Sequence, residues 1–120
     1  MSTFPIRFAG FNKALVVLGM GQRGSRVEVD ADTVYIRMGW TFRARFDRAN
    51  IASAALDIAR VGGWGVHGWR GVWLLNGSSK GIVRIDLRER VRGYVIGMPV
   101  KVRAVRVSVE DPDALVAALA

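Results

Sequence analysis

The sequence predicts a mainly β protein, an antiparallel barrel or roll of two sheets with one C-terminal α-helix. Three observations lead to this class. Short segments alternate apolar and charged residues with the period of two that a half-buried strand has. Clusters of glycine, asparagine and serine separate these segments, as is typical of turns. Finally, Asp111-Pro112-Asp113 precedes the last apolar segment, and an N-cap aspartate followed by proline is a common start of a helix.

Length and hydropathy indicate one compact unit. The chain has 120 residues, of which 51% are hydrophobic, so we expect a single domain over residues 1–120. No segment approaches the roughly 20 apolar residues that a membrane-spanning helix needs. The apolar run from Ala14 to Met20 is short, and no cleavage pattern of small residues follows it. We therefore expect no signal peptide and a cytoplasmic location.

Composition limits the chemistry. The chain has no cysteine, which excludes disulfides and thiolate metal sites, and it has one histidine, His67. No spacing of carboxylates around His67 suggests a zinc site or a catalytic triad. We therefore expect no enzyme activity, no metal and no cofactor. The net charge of +8, from 18 basic and 10 acidic side chains, attracts nucleic acid, anionic lipid or an acidic protein, but it also suits a solvated surface without a partner.

The first half of the chain predicts a meander of strands. Pro5 suits an edge segment, and a strand over Ala14 to Leu18 precedes a glycine-rich loop that ends at Gly24. Three alternating strands follow, over Arg26–Asp30, Thr33–Met38 and Thr41–Asp47. Their inward residues are Val27, Val29, Val34, Ile36, Met38, Phe42, Ala44 and Phe46.

The segment from Ala49 to Ala59 fits both a helix and a strand. Its alanines favour a helix, and Ile51, Ala55 and Ile58 share a helical face. Alternation through Ala52, Ala54 and Leu56 instead fits a strand. We prefer the strand because it continues the meander.

The second half predicts a hairpin, a last sheet portion and the helix. Val72–Leu75 and Ile82–Leu87 flank the turn-rich segment Asn76–Gly81, which indicates a hairpin between them. Arg88–Arg92 is predicted to be a charged connection. Tyr94–Met98 and Val100–Val109 form the last sheet portion, which could also be one strand interrupted at Gly97 and Pro99. An apolar phase change at Ala104–Val105 indicates a β-bulge. From about residue 111 a helix follows, with its apolar face made by Leu115, Val116 and Leu119.

The order of elements, antiparallel strands followed by one late helix, resembles pleckstrin-homology-like (PH-like) domains, in bacterial form, across nearly the whole chain. The resemblance implies a partly open barrel with the helix at one end. No tryptophan follows Asp111, and the first hairpin carries only Lys13, Arg23 and Arg26, so the lipid-headgroup site of eukaryotic members does not carry over. The ending Asp111 to Ala120 and the arginine-rich composition are also similar to small actinobacterial proteins.

One candidate site is the segment Gly62–Gly71, which is rich in glycine and tryptophan. Trp64, His67, Trp69 and Arg70 lie in it and could form the wall of a binding site, since aromatic side chains bind apolar ligands, bases and protein surfaces. The indoles could equally be part of the core. Trp73, in the following strand, is predicted to be mainly structural.

A second candidate site is a basic face on the last strands, made by Arg84, Lys101, Arg103 and Arg106. Together these features predict a non-enzymatic binding or interaction module. We expect a protein partner or self-association through the aromatic segment, with an anionic membrane surface or nucleic acid as alternatives. The alternative function belongs to another class. It is a small-molecule carrier, for an apolar ligand or haem, or an enzyme, with a pocket at Trp64, His67 and Trp69.

Overall fold

The computed structural model describes residues 2–6, 25–57, 65–69, 71–76 and 81–120. Within these ranges it has nine strands, a 3-10 turn at Arg48–Asn50 and one α-helix. The strands are β1 (Ser2–Pro5), β2 (Ser25–Val29), β3 (Thr33–Met38), β4 (Phe42–Asp47), β5 (Ile51–Leu56), β6 (Gly65–Trp69), β7 (Val72–Asn76), β8 (Ile82–Val95) and β9 (Met98–Ser108), and the helix is α1 (Pro112–Leu119).

The strands form one curled, mostly antiparallel sheet in the shape of a half-barrel. Its order is β1-β2-β3-β4-β8-β9-β7-β6, and β5 pairs with β8 beside this path. The predicted mainly β class with a C-terminal helix is confirmed, but the strands form one sheet where two were predicted. The sheet is continuous because the long strands β8 and β9 run through both of its halves. A half-barrel with a late helix is loosely compatible with the PH-like layout.

The core lies on the inner face of the half-barrel. All inward residues predicted for β2, β3 and β4 are buried, which confirms the alternation. Leu115 and Leu119 of α1 join the same cluster. The Asp111 side chain accepts a hydrogen bond from the Ala114 N–H at 3.2 Å, so it caps the helix as predicted.

The ambiguous segment is a strand. β5 covers Ile51–Leu56 and pairs antiparallel with β8, after the 3-10 turn at Arg48–Asn50. Tertiary pairing thus overrides the helix preference of alanine. Residues 58 and 59 of this segment, the predicted strand over Ala14–Leu18 and the loop that ends at Gly24 all lie outside the described residues.

The predicted hairpin between Val72–Leu75 and Ile82–Leu87 is wrong. β7 pairs antiparallel with β6 and parallel with β9, so β9 lies between β7 and β8 in the sheet. The turn-rich sequence marks where β7 ends, but a turn does not specify which strand becomes the neighbour. The β7 ladder instead follows β9, and Trp73 contacts the core there. Its ring centroid lies 6.0 Å from that of Phe42, which supports the mainly structural role predicted for it.

The prediction for the last strands is wrong at two points. Arg88–Arg92 is part of β8, and the chain reverses at Ile96-Gly97 into β9, so Tyr94–Met98 is no single strand. The predicted irregularity is present, because the β8–β9 register shifts between the pairs Asp86–Ala104 and Val91–Val102. The extra residues lie in β8. They interrupt its alternation of apolar and polar residues, which is why the sequence suggested a connection there.

Asn50 supports this irregularity. Its side-chain amide donates to the Glu89 carbonyl at 2.9 Å, and its side-chain oxygen accepts from the Glu89 N–H at 2.9 Å. One side chain therefore replaces a strand neighbour beside the extra residues of β8. At this point the edge of β8 changes partner, from β5 to β4.

Candidate functional site: an arginine–tyrosine face

The outer surface of β3, β4, β8 and β9 carries a group of cationic and aromatic side chains, which we call the arginine–tyrosine face. It consists of Tyr35, Arg37, Arg43, Arg45, Arg92, Tyr94 and Lys101. All five cations are exposed and both tyrosines are half-buried. The strand period of two explains this arrangement, because the residues between them point into the core.

The register of the sheet brings these residues together. Arg37 lies opposite Arg43, and Tyr35 opposite Arg45. Arg43 also lies opposite Tyr94 across β4 and β8, and Arg92 lies opposite Lys101 across β8 and β9. Residues that are far apart in the sequence thus form one continuous surface over four strands.

At the centre of this surface, β8 lies close to its neighbours β4 and β9 because residue 93 is a glycine. A Cβ atom built on Gly93 would lie 2.8 Å from Cγ2 of Val102 and 3.2 Å from the carbonyl oxygen of Arg43. Any side chain there would push β4 or β9 away from β8. Gly93 therefore keeps β4 close enough to β8 for Arg43 to reach Tyr94.

Two guanidinium groups stack on the tyrosines. Cζ of Arg43 lies 4.7 Å from the centroid of the Tyr94 ring, and Cζ of Arg45 lies 5.3 Å from that of Tyr35. Cation–π stacking of this kind is worth about 0.5–1 kcal/mol at exposed sites. It orients the guanidinium without neutralising it, so the N–H groups at its edge stay available to an anion.

The arginine–tyrosine face keeps its charge. In the described part of the chain, the ion pairs join Arg26 to Glu28, Arg84 to Asp86 and Arg106 to Asp57, and none of these residues belongs to the face. Carboxylates lie at its border: Glu28, on β2, contacts Arg26, and Asp47 ends β4. Among the described residues, the face itself therefore carries five cations and no carboxylate.

Three shallow grooves cross this surface. One of about 380 Å³ is lined by the stacked pairs and Arg92. A second, of about 460 Å³, runs between Arg90, Arg92 and Lys101. The third, of about 660 Å³, lies between Arg45 and Arg88, and the carboxylates of Asp47 and Glu89 also line it. Shared lining residues connect the three grooves, and the two smaller ones are lined by cations without a carboxylate.

The register shift between β8 and β9 divides the predicted basic face of Arg84, Lys101, Arg103 and Arg106 into two parts. Arg84 lies opposite Arg106, but each has a carboxylate partner, Asp86 and Asp57 respectively. The hydrogen bonds to Asp86 raise the pKa of Arg84 above its ordinary value. This direction shows that the contact with Asp86 favours the charged guanidinium. Lys101 and Arg103 are exposed on the other part of β9, where Lys101 joins the arginine–tyrosine face.

The predicted aromatic site lies mostly outside what is described. Trp64 and Arg70 are not among the described residues, and for His67 and Trp69 the structure describes the backbone. Both belong to β6, where His67 pairs with Leu74 and Trp69 with Val72. Within the described ranges, no group of three or more histidine, cysteine, aspartate or glutamate side chains is placed to hold a metal ion.

Sequence reasoning missed the arginine–tyrosine face as a site. The alternation did predict Tyr35, Arg37, Arg43 and Arg45 to point outward, but it did not show which strands are neighbours. Arg92 and Tyr94 were assigned to a connection and to a later strand. The useful signal was the repeated pairing of arginine with tyrosine at outward positions.

Comparisons of the chain with protein-family models, curated proteins and solved structures find no match. The class of protein is therefore stated from the fold alone: a mainly β half-barrel with a C-terminal helix. Among the described residues, no helix is long and apolar enough to cross a membrane.

Proposed function

We propose that this chain is a non-enzymatic binding module that docks on closely spaced phosphate groups through its arginine–tyrosine face. The observation that supports this most strongly is the state of Arg43, Arg45 and Arg92. These exposed arginines form no ion pair in the described part of the chain, whereas Arg84 and Arg106 on the same sheet are paired.

Arginine suits phosphate because its planar group donates two parallel hydrogen bonds to two oxygens. The tyrosine rings add a second advantage. A guanidinium that already stacks on a ring loses less conformational freedom when it binds, so more of the interaction energy appears as affinity. With Arg37 and Lys101 beside them, the three arginines form a multivalent anion site on a rigid sheet.

The half-barrel with a late helix also supports membership of the PH-like group, as the order of elements suggests. The proposed site is different from the first-hairpin cluster of that group's lipid-binding members. It lies on the outer surface of β3, β4, β8 and β9, and its evidence is independent of the resemblance.

Two phosphate-bearing probes test the proposal. One is a vesicle made of equal parts phosphatidylglycerol and phosphatidylcholine, and the other is single-stranded oligothymidylate. We expect the wild-type chain to bind at least one of them, and Arg43→Gln/Arg92→Gln to bind about 30-fold more weakly, at about 1 kcal/mol per arginine.

Arg92→Gln is the single-site test, and Arg84→Gln is its matched control. Both positions lie on β8 and both changes remove one charge, but Arg84 is paired with Asp86. We expect Arg92→Gln to weaken binding about fivefold and Arg84→Gln to leave it within twofold. If the wild-type chain binds neither probe, or if both single variants weaken binding equally, the proposal is wrong.

A further inference from the structure

Two hairpin tips next to the arginine–tyrosine face expose large apolar side chains. Trp40, between β3 and β4, has 56% of its surface exposed, and Ile96, between β8 and β9, has 61%. Met98, the first residue of β9, is 69% exposed. A monomeric protein gains no stability from such exposure, and clustered apolar exposure commonly marks an interaction site.

The two tips form one ordered unit. The Ile96 N–H donates to the Thr41 carbonyl at 2.9 Å, which joins the β8–β9 tip to the β3–β4 tip. The Thr41 hydroxyl donates to the Met38 carbonyl at 2.8 Å, and Nε of Arg37 donates to the Gly39 carbonyl at 2.9 Å. Hydrogen bonds therefore hold together the two turns that carry these apolar side chains.

Ile96 is an unfavourable residue for its turn. It has a φ of +50°, and the following Gly97 has a φ of +76°. Two positive φ angles match a hairpin turn that strongly prefers Asn-Gly. A β-branched residue with positive φ is strained, and the exposed side chain of Ile96 recovers little through packing. Its presence is explained if the side chain contacts something outside the chain.

The tips and the cationic side chains are adjacent. Arg37 and Arg43 form the second residue pair from the turn that carries Trp40, and Arg92 and Lys101 form the fourth pair from the turn that carries Ile96. We propose that this end of the sheet docks on an anionic lipid bilayer, with the tip side chains of Trp40, Ile96 and Met98 inserted among the headgroups. The inference rests on the proposed function, because the arginine–tyrosine face contacts the lipid phosphates.

A bilayer fits this surface better than nucleic acid or a protein. Isoleucine and methionine offer nucleic acid no stacking platform, which is what aromatic side chains supply. A stable protein interface buries about 800 Å² on each partner, whereas the apolar part here is three side chains at protruding tips. Tryptophan is enriched at the membrane interface, and basic residues near the surface add attraction to anionic lipid.

The test is Ile96→Asn, measured for stability and for binding. Because Asn-Gly suits the turn, we expect the unfolding temperature to rise by a few degrees. Because an apolar side chain is lost from the membrane, we expect binding to phosphatidylglycerol vesicles to weaken by roughly tenfold. Oligothymidylate binding, if present, should not change. Leu56→Asn is the control, since Leu56 is 51% exposed and lies in β5, which pairs with the opposite half of β8.

A more stable Ile96→Asn variant with weakened vesicle binding supports the inference, provided that Leu56→Asn binds like the wild type. Vesicle binding by Ile96→Asn equal to that of the wild type overturns it. A wild-type chain that binds oligothymidylate but not vesicles also overturns it, while the proposed function stands. If neither probe binds, the proposed function itself fails.

Discussion

Arg84 and Arg92 lie on the same strand and have opposite surroundings. Arg84 contacts the carboxylate of Asp86 at 3.1 Å, in the half of β8 that pairs with β5. Arg92 is exposed opposite Lys101 and has no carboxylate in that register position. The irregularity between residues 86 and 91 separates the two. In the first region a carboxylate pairs with the arginine, and in the second the arginine forms no ion pair among the described residues.

This difference shows that a count of basic residues does not reveal which of them have a carboxylate partner. Arg84 and Arg106 lie opposite each other, yet Asp86 and Asp57 balance their charge. Arg43 and Arg45 instead stack on neutral rings. Stacking orients a charge and pairing cancels it, so the two regions should respond differently to substitution.

The largest effect on stability is expected for Asp57→Asn. The side chains of Arg106 and Asp57 are 17% and 11% exposed, so the substitution removes the Asp57 negative charge beside a mostly buried guanidinium. We expect the free energy of unfolding to fall by about 2 kcal/mol, measured by urea denaturation. Vesicle or oligothymidylate binding by the folded variant should be unchanged. A stability equal to that of the wild type would show that this pair is not structural.

A smaller loss is expected for Asn50→Ala, which acts where the two regions meet. The variant loses both hydrogen bonds to the Glu89 backbone. Water can replace them because the site is exposed, so we expect a loss of about 1 kcal/mol. Amide hydrogen exchange should increase around Glu89 first. Unchanged exchange there would contradict the role that we assign to Asn50.

The smallest effect on stability is expected for Arg43→Gln. The substitution removes one exposed stack on Tyr94, which predicts a loss of less than about 1 kcal/mol. Thermal unfolding checks this value. A loss as large as that of Asp57→Asn would mean that the arginine–tyrosine face supports the fold, and the contrast between the two regions would disappear.

Much of the fold could be predicted from the sequence, because burial follows alternation. Val27, Ile36 and Phe42 are buried as their spacing predicts, and Asp111 caps the helix. Strand order could not be predicted. Nothing in Asn76–Gly81 indicates that β7 pairs in parallel with β9, since that ladder depends on long-range packing.

The site was less predictable than the fold. Outward positions for Arg43 and Arg45 follow from alternation, but the contact between Arg43 and Tyr94 requires the register of β4 with β8. The strained backbone of Ile96 is also invisible in the sequence, because an interruption at Gly97 and Pro99 does not indicate a positive φ at the isoleucine before them. Local patterns predict which face a residue occupies, and tertiary pairing determines its neighbours.

The most direct test of the central claim is the salt dependence of vesicle binding by Arg92→Gln and Arg84→Gln. Binding to phosphates releases counterions, so affinity falls as salt rises, with a slope set by the number of contacting charges. We predict a shallower slope than wild type for Arg92→Gln and an unchanged slope for Arg84→Gln. Equal slopes for the two variants, or a shallower slope for Arg84→Gln alone, would contradict the account.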